Sequence, residues 1–318
     1  MKRLIFTLLA VVLACTTVQA ADKEYVYRLK WLFNSSVAGD IYADEHGYFT
    51  EAGINVKVKE GGPGKNAINE LELGQSHFGV ASADQVIRAL EKGADVVVLA
   101  QIFQINPMQW IYRATLPEIK DLGQLKGKNI GLTFGGNDES IMNTLFAKGG
   151  ITKDDVKITG AKFDFTPFLT GKVDLWPVYR NSQGVILEDK LAKEGEKVRF
   201  MDPSAFGVSF VANSVITSRK MVEEQPEVVD KFVKALFKGW NKAMDPANEA
   251  ASLAAIAKRD KGNNDAIRKL QLDSTRALVM KDGFGKIDEA AWKQTEAIML
   301  EQGQIKKAVG VENSFRKQ

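Results

Sequence analysis

The segment from Lys30 to Gly62 constrains the fold of this chain more than any other stretch. Its pattern predicts a strand, a loop of small and polar residues, a short helix, and a second strand that ends in glycines. Where a strand opens into a helix, unpaired backbone N–H groups collect, and open α/β sheets bind small molecules at such junctions. The segment therefore predicts the first βαβ unit of an open α/β sheet, with a candidate binding edge at its strand ends.

The first twenty residues predict a secretory signal that is not part of the fold. Lys2 and Arg3 supply a positive start, an apolar run follows from Leu4 to Ala14, and residues 18–20 form a small-residue cleavage site. This apolar run is shorter than the roughly 20 residues that a membrane-spanning helix needs. We therefore expect cleavage after Ala20 and a soluble protein in the periplasm.

Cys15 supports an alternative to a soluble protein. The residues from Val12 to Cys15 also form a passable lipoprotein cleavage box, which would leave a lipid anchor on the cysteine. If cleavage instead follows Ala20, the only cysteine of the chain leaves with the signal. The mature protein would then contain no disulfide, no thiolate metal site and no cysteine nucleophile.

Charge and histidine content argue against several functional classes. The formal net charge is +3 and the charges are mixed along the chain, so no basic footprint for nucleic acid is evident. The two histidines, His46 and His77, do not have a metal-ligand spacing, and no Ser-His-Asp arrangement is evident. We therefore expect no nucleic-acid partner, no cofactor, no metal site and no enzymatic activity.

Strand and helix patterns alternate from residue 24 to residue 216, which is typical of parallel sheets with helices on both faces. The predicted strands are Tyr25–Leu29, Asn55–Lys59, His77–Val80, Val96–Ala100, Trp110–Arg113, Asn129–Leu132, Lys157–Thr159, Val173–Pro177 and Val208–Thr217. The predicted helices between them are Ile41–Glu45, Asn66–Leu73, Ala83–Glu91, Glu139–Lys148, Phe165–Leu169 and Ser182–Glu194.

After Ser218 only helical periodicity remains. The helix that opens at Gln225 carries an apolar stripe with spacings of three and four residues, and it is followed by helical stretches at 247–257, 264–279 and 289–302. An α/β body followed by a helical tail indicates that the tail packs back on an existing domain.

The α/β body divides into two predicted lobes. Leu116-Pro117-Glu118 and the segment DLGQLKGKNIGL indicate that a new structural unit starts before the strand at Asn129. We predict a discontinuous first lobe, residues 21–113 and 215–318, and a continuous second lobe, residues 114–214. The two crossovers of the chain would leave a cleft between the lobes.

Four motifs resemble one known family. In chain order they are KW…N…AG.IYA…GYF.EAGI.V….GG, ELGQSHFGVASADQVIRA, G.DVVVLAQIFQ.NP and DLGQLKGKNIGL. Together they resemble the NMT1/THI5-like substrate-binding proteins, a group within the nitrate, sulfonate and taurine-type family of ABC importers. The resemblance extends from about Tyr25 to Thr217.

The resemblance implies the type II periplasmic binding protein fold, with two α/β lobes, two crossover strands and C-terminal helices on the first lobe. It also implies a monomer that captures a solute in the cleft, closes by a hinge motion, and docks on a membrane permease with its ATPase. Members of the group carry pyrimidine precursors of thiamine, so a small flat heterocycle is the expected ligand.

Candidate ligand contacts in the first lobe lie at predicted strand ends. Trp31 offers an aromatic face for a flat ring, and Asn34 offers an amide that pairs with a ring nitrogen and its neighbour. Gly62 permits either a close backbone approach to the ligand or only a tight turn. Ser82 and Gln104 follow the third and fourth strands, and Ser82 alternatively caps the helix that starts there.

Candidate contacts in the second lobe belong to two segments. Gly135, Gly136 and Asn137 form the counterpart of the first glycine loop, although Asn137 is alternatively only a helix cap. The resemblance implies that Tyr179 and Asn181 line the cleft.

Two further positions in that region leave the ligand open. Trp176 either stacks on the ligand or fills the core of the lobe. Ser182 stands where the family often has a glutamate that binds polar groups of the ligand. That departure weakens a direct transfer of the thiamine-precursor ligand to this chain.

Other ligands and one other class of protein stay open. A sulfonate or nitrate would need Arg side chains or several helix N-termini at the cleft, and riboflavin is a further candidate. The enzyme alternative is a thiamine-pyrimidine synthase, which by family resemblance uses a cysteine-rich motif, a reactive histidine and a lysine-bound pyridoxal phosphate. A chain whose only cysteine lies in a predicted signal lacks that motif.

Overall fold

The computed structural model describes residues 23–62, 64–162, 164–279 and 284–317, and the predicted signal segment with Cys15 lies outside them. The strands are β1 Glu24–Arg28, β2 Asn55–Lys59, β3 Phe78–Ala81, β4 Val96–Gln101, β5 Met108–Arg113, β6 Asn129–Leu132, β7 Lys157–Gly160, β8 Leu175–Tyr179, β9 Val198–Met201 and β10 Ser214–Ser218. The helices are α1 Ala38–Glu45, α2 Tyr48–Glu51, α3 Ala67–Glu72, α4 Ala83–Glu91, α5 Asn137–Lys148, α6 Thr166–Leu169, α7 Gln183–Lys193, α8 Arg219–Glu224, α9 Pro226–Met244, α10 Glu249–Arg259, α11 Asp265–Val279 and α12 Glu289–Glu301.

Two five-stranded sheets organise the chain. The first has the order β2-β1-β3-β10-β4, and β10 runs antiparallel to both of its neighbours. The second has the order β7-β6-β8-β5-β9, and β5 runs antiparallel to both of its neighbours. The remaining pairs are parallel and are connected through helices, as βαβ crossovers require. The predicted architecture of two α/β lobes is confirmed.

The chain passes between the sheets after β4 and again before β10. The strand Met108–Arg113 pairs with β8 and β9 of the second sheet. The predicted first lobe, which runs to residue 113, includes this strand, and its limit is therefore one strand too late. The break lies at Asn106-Pro107, since proline has no N–H with which to continue a strand ladder.

Some element limits also differ from the predictions. The predicted strand Val208–Thr217 pairs in a sheet only over β10, and the apolar residues Phe210 and Val211 are buried in the core outside any strand. The elements β9, α2 and α8 have no counterpart among the predictions. They contain only four to six residues, which is too short for a hydrophobic period to show.

The C-terminal helices pack mainly on the first lobe. Helix α9 lies along α1 and buries a stripe of Val229, Phe232, Leu236 and Trp240, which confirms the predicted apolar face. Helix α10 packs on α1 and α12 on α4, whereas α11 contacts both the 3-10 turn Ser35–Val37 and α7 of the second lobe. Among the described residues, no helix is both long enough and apolar enough to cross a membrane.

Helices α1 and α9 approach each other through glycine. A Cβ atom on Gly239 would lie 2.5 Å from the Cβ of Ala43 and 2.7 Å from the carbonyl oxygen of Gly39. Backbones this close leave no room for a side chain, so the close packing of α9 on α1 requires a glycine at position 239.

We expect Gly239→Ala to destabilise the protein by about 1–3 kcal/mol, because overpacking outweighs the ~1 kcal/mol that alanine contributes in a helix interior. Urea denaturation followed by circular dichroism measures the change. Lys234→Ala, at an exposed position of the same helix, is the control and should change stability by less than about 0.5 kcal/mol. A Gly239→Ala variant as stable as the wild type would show that the contact can relax.

A carboxyl group is buried in the core of the first lobe. Asp40 Oδ1 accepts hydrogen bonds from the Tyr27 hydroxyl at 2.7 Å and from Trp240 Nε1 at 3.4 Å, whereas Oδ2 has no partner among the described residues. Burial raises the pKa of Asp40 from 3.8 to about 7, although the two hydrogen bonds act in the opposite direction. The folded protein therefore holds a proton on Asp40 that the unfolded chain releases near pH 4.

Because Asp40 is protonated in the folded state, we predict that the free energy of unfolding depends on pH. Because the pKa is higher in the folded state, the contribution of Asp40 is complete below about pH 4 and is lost as the pH rises through about 7. We expect the stability of wild type minus that of Asp40→Asn to fall by about 2–4 kcal/mol between pH 4 and pH 8. Urea titrations at both pH values measure it, with the exposed Asp154→Asn as the control. A difference that does not change with pH would refute the protonated carboxyl.

Candidate functional site

Polar side chains from both lobes meet between the two sheets, at the ends of strands and the starts of helices. We name this group the interlobe seam. Its members are Lys30, Asn34, Gln271 and Thr275 from the first lobe and its tail, and Asn137, Tyr179, Asn181 and Ser182 from the second lobe.

Lys30 carries a positive charge across the seam. It lies just beyond β1, and its Nζ donates to Asn137 Oδ1 at 3.2 Å and to the Tyr179 hydroxyl at 3.0 Å. Asn137 is the first residue of α5 and Tyr179 is the last residue of β8. The Tyr179 hydroxyl also lies 3.2 Å from Asn213 Oδ1, which accepts its proton. The ammonium group of Lys30 thus joins the two lobes through hydrogen bonds to two neutral oxygens.

Asn34 is held in one orientation by its own turn. Its Oδ1 accepts from the backbone N–H of Ser36 at 2.8 Å and caps the turn Ser35–Val37. Its Nδ2 is therefore directed to the second lobe, where it donates to Ser182 Oγ at 3.1 Å. The predicted contact residue Asn34 is buried and lies at the seam.

Helix α11 supplies the third side of the seam. Gln271 Nε2 donates to the Ser182 carbonyl oxygen at 3.2 Å, and Asn181 Nδ2 donates to Thr275 Oγ1 at 2.9 Å. Both Gln271 and Thr275 are fully buried, one helical turn apart. A helix of the C-terminal tail therefore contacts the second lobe at the same place as Asn34.

Three buried polar atoms of the seam have no hydrogen-bond partner among the described residues: Asn137 Nδ2, Asn181 Oδ1 and Gln271 Oε1. A buried polar group without a partner costs about 1–3 kcal/mol, so folded proteins rarely keep one without a purpose. The seam thus offers one hydrogen-bond donor and two acceptors. Groups of this kind recognise a small molecule that carries both donors and acceptors.

A second buried carboxyl group lies near Lys30. Asp138, in the first turn of α5, accepts from the backbone N–H of Thr133 at 2.6 Å. Burial raises the pKa of Asp138 to about 6, although the hydrogen bonds of Thr133 and the charge of Lys30 act in the opposite direction. The net charge beside Lys30 consequently changes near pH 6.

Ser82 and Asp84 form another link between the lobes. The Ser82 hydroxyl donates to Asp84 Oδ1 at 2.7 Å, and Ser140 of α5 donates to Asp84 Oδ2 at 2.7 Å. Arg88 also contacts the Ser140 hydroxyl. The predicted ligand contact Ser82 is buried and already bonded in this link, so a ligand contact there stays a prediction.

The first glycine loop supports the segment that carries Lys30 and Trp31. Gly61 N–H donates to the Trp31 carbonyl at 2.8 Å, and Gly62 N–H donates to the Lys30 carbonyl at 3.2 Å. Gly62 has a φ of +131°, a conformation that L side chains rarely adopt. Trp31 is half-buried beside this loop. The structural interpretation of Gly62 as a turn residue is thus supported, and its ligand contact stays a prediction.

The second glycine loop uses its own N–H groups. Gly135 N–H donates to Glu139 Oε2 at 2.8 Å, and Gly136 N–H donates to the Thr133 carbonyl at 2.7 Å. Of the three predicted contacts Gly135, Gly136 and Asn137, only Asn137 has a side chain to offer, and its Nδ2 lacks a partner among the described residues. Gly135 and Gly136 therefore shape the start of α5, and their N–H groups are already bonded within it.

One predicted contact residue, Trp176, lies in the core of the second lobe. Trp176 is 1% exposed and packs with Phe168 and Leu187 in the core of the second lobe, on the opposite face of β8 from Tyr179. Successive side chains of a strand point to opposite faces, so residues 176 and 179, which are three positions apart, lie on opposite faces of β8. The prediction that Trp176 stacks on a ligand is therefore corrected: Trp176 fills the core of the second lobe, which was its alternative role.

Gln104 lies in the segment that follows β4 and precedes β5. Its Nε2 donates to the carbonyl oxygens of Gln101 and Lys286, at 3.2 and 3.0 Å. It lines a separate cavity of about 280 Å³ together with Asn106 and Asp202. The backbone N–H of Gln104 donates to the Leu278 carbonyl oxygen of α11 at 2.9 Å. A ligand contact at Gln104 stays a prediction.

Sequence reasoning missed three residues of the seam, namely Lys30, Gln271 and Thr275, and also Asn213, which accepts a hydrogen bond from Tyr179. A signal for two of them was present in α11. Its buried positions follow a spacing of four residues from Ile267 to Val279, and the two positions between them are Gln271 and Thr275. Polar residues inside an otherwise apolar stripe indicate a partner in the interior.

Comparisons with known proteins identify the family and the fold of the chain. The family model described as NMT1/THI5 like matches residues 34–250. Among curated proteins, the chain is 23% identical over 327 residues to the formylaminopyrimidine-binding protein of Halalkalibacterium halodurans, covering 98% of this chain and 97% of that protein. It is 25% identical over 254 residues to the riboflavin-binding protein RibY of Chloroflexus aurantiacus, covering 75% and 68%.

Among solved structures, the chain resembles the alkanesulfonate-binding protein SsuA from Xanthomonas axonopodis pv. citri. The TM-score is 0.72 at 16% identity, and the match covers 93% of this chain and 98% of that chain. At this identity the likeness shows the fold alone, which is that of periplasmic binding proteins. Since the family model covers more than half of the residues, the chain belongs to the NMT1/THI5-like family.

Proposed function

We propose that this protein is the periplasmic solute-binding component of an ABC importer, and that it closes its two lobes around a small, flat, nitrogen-rich heterocycle. The expected class of ligand is a pyrimidine related to the precursors of thiamine. The protein would act as a monomer and deliver its solute to a membrane permease with an ATPase. Binding would shift the population from open to closed lobes.

One observation carries this proposal: the seam between the lobes is lined by side-chain amides whose hydrogen-bonding capacity is incompletely used. Asn137, Asn181 and Gln271 each keep one buried polar atom without a partner. Amides pair with the ring nitrogens and exocyclic groups of heterocycles, because both offer donors and acceptors in one plane. The half-buried rings of Trp31 and Tyr179 would provide aromatic contact.

The named relatives support a heterocycle. One is called a formylaminopyrimidine-binding protein and another a riboflavin-binding protein, and both names describe flat nitrogen heterocycles. Lys30 gives the alternative of an anionic solute a specific basis, since its ammonium group lies at the seam and bonds two neutral oxygens, those of Asn137 and Tyr179. The surrounding amides are neutral, which favours the heterocycle over a sulfonate or nitrate.

A binding role is also favoured over the synthase alternative. That chemistry needs cysteine ligands, and the one cysteine of the chain lies in the predicted signal. Among the described residues no cluster of three His, Cys, Asp or Glu side chains could hold a metal. Iron analysis and the visible spectrum of purified protein test this alternative, because stoichiometric iron or a pyridoxal imine would establish it.

The proposed function is tested by identifying what the protein binds. We expect mass spectrometry of the small molecules released from purified protein to find a pyrimidine. In calorimetry, 4-amino-5-hydroxymethyl-2-methylpyrimidine should bind at least tenfold more tightly than riboflavin, ethanesulfonate or nitrate. Tighter binding of ethanesulfonate would replace the heterocycle by the anionic alternative. Failure to find any ligand by either method would remove the binding function.

A single hydroxyl tests whether the seam is the binding site. Tyr179→Phe removes the group that joins Lys30 to Asn213, and we expect the affinity for the pyrimidine to fall about tenfold, the usual worth of one buried hydrogen bond. Tyr25→Phe is the matched control, because it removes a buried tyrosine's hydroxyl that bonds Gln225, away from the seam. Equal affinities of the two variants would place the ligand elsewhere.

A further inference from the structure

Helix α11 of the C-terminal tail enters the interlobe seam with polar residues, and the directions of its hydrogen bonds can be worked out atom by atom. Its N-terminal half is attached to the first lobe, where the Ser35 hydroxyl donates to the Arg268 carbonyl at 2.7 Å. One turn later Gln271 reaches the second lobe through the Ser182 carbonyl. The helix therefore touches both lobes at the place where they meet.

The orientation of Asn181 follows from the single proton of Thr275. The Thr275 hydroxyl donates that proton to the backbone carbonyl oxygen of Gln271 at 2.7 Å, as threonines in helices often do with the residue four positions earlier. Its oxygen can then only accept, so Asn181 must approach it with Nδ2. Asn181 Oδ1 is consequently left without a partner among the described residues.

The orientation of Gln271 follows from the carbonyl that it contacts. The Ser182 carbonyl oxygen has no proton to give, so Gln271 must donate to it through Nε2. Gln271 Oε1 is then also left without a partner in the described part of the chain. Both side chains are 0% exposed, which excludes bulk solvent as the routine partner of either oxygen.

We infer that Asn181 and Gln271 form a pair of acceptors that recognises N–H donors of the bound solute, with Thr275 as the residue that positions Asn181. This inference rests on the proposed solute-binding role and narrows its ligand to compounds with an amino group or a ring N–H. Sulfonates and nitrate carry only acceptor oxygens, and two carbonyl oxygens would repel them. The C-terminal tail thus contributes to ligand specificity as well as to the stability of the first lobe.

Two donors elsewhere in the seam complement this pair. Lys30 and Asn137 Nδ2 are donors, one charged and one without a partner. A ligand with an acceptor at one end and an amino group at the other would satisfy both sets of groups. This polarity distinguishes a pyrimidine with an exocyclic amine from a ring of the same shape that lacks it.

Two probes of the same shape test the inference on the full chain. The compound 4-amino-2-methylpyrimidine carries an N–H donor where 2,4-dimethylpyrimidine has a methyl group. We expect calorimetry to show that the wild type binds the amine about 10- to 100-fold more tightly, because the methyl analogue leaves a buried acceptor unpaired. Comparable affinities would overturn the inference.

Variants of α11 then test whether Gln271 and Thr275 cause the preference for the amine over the methyl analogue. Gln271→Met keeps the length of the side chain and removes its amide, both the Oε1 acceptor and the Nε2 donor that bonds Ser182, and we expect the preference for the amine to fall to less than about threefold. Thr275→Val, which releases Asn181, should lower the preference in the same way, whereas Thr275→Ser should keep it. Leu270→Ala, at an exposed position of the same helix, is the control and should keep the wild-type ratio.

The ratio of the two affinities separates specificity from stability. A variant that is only less stable would weaken binding of both probes equally and leave the ratio unchanged, which would overturn the inference for that residue. If Gln271→Met does not fold, Thr275→Val against Thr275→Ser decides the same question. If ethanesulfonate binds the wild type and neither pyrimidine does, the acceptor pair is refuted while a binding function stands. If no small molecule binds or copurifies, the proposed function itself is refuted.

Discussion

The two sheets are joined by two segments of backbone, by a buried apolar cluster that includes Val98 and Trp110, and by the hydrogen bonds of polar side chains at the seam. Each such bond contributes about 0.5–1.5 kcal/mol net, far less than the burial that holds either lobe together. Under the proposed function, bonds of this strength would be exchanged for bonds to a solute.

The interior of the first lobe has the opposite character. Helices α1 and α9 meet backbone to backbone at Gly39 and Gly239, with Trp240 enclosed between them. Contacts of this kind leave little room for rearrangement, so α9 is held closely against α1. Helix α11 packs on α10 and on the turn Ser35–Val37, so Gln271 and Thr275 reach the second lobe from a helix that is attached to the first.

Much of the fold could be predicted from the sequence. The alternation of strand and helix and the stripe on α9 are strong periodic signals, and α4 has the limits that its pattern predicts. The crossover was placed one strand late, because β5 has the same apolar pattern in either lobe. Sequence patterns identify strands well, but pairing partners far apart in the chain leave no local signal.

Local sequence determined the elements, the two α/β lobes and the strand-end positions of Asn34, Asn137 and Tyr179. Tertiary structure alone decided which of the strand-end residues meet. Trp176 and Tyr179 lie on one strand, yet pairing and parity bury the first and bring the second to Lys30. Gln271 joins the seam from about 90 residues away in sequence, since burial and hydrogen bonding act between neighbours in space, and only the folded chain defines those neighbours.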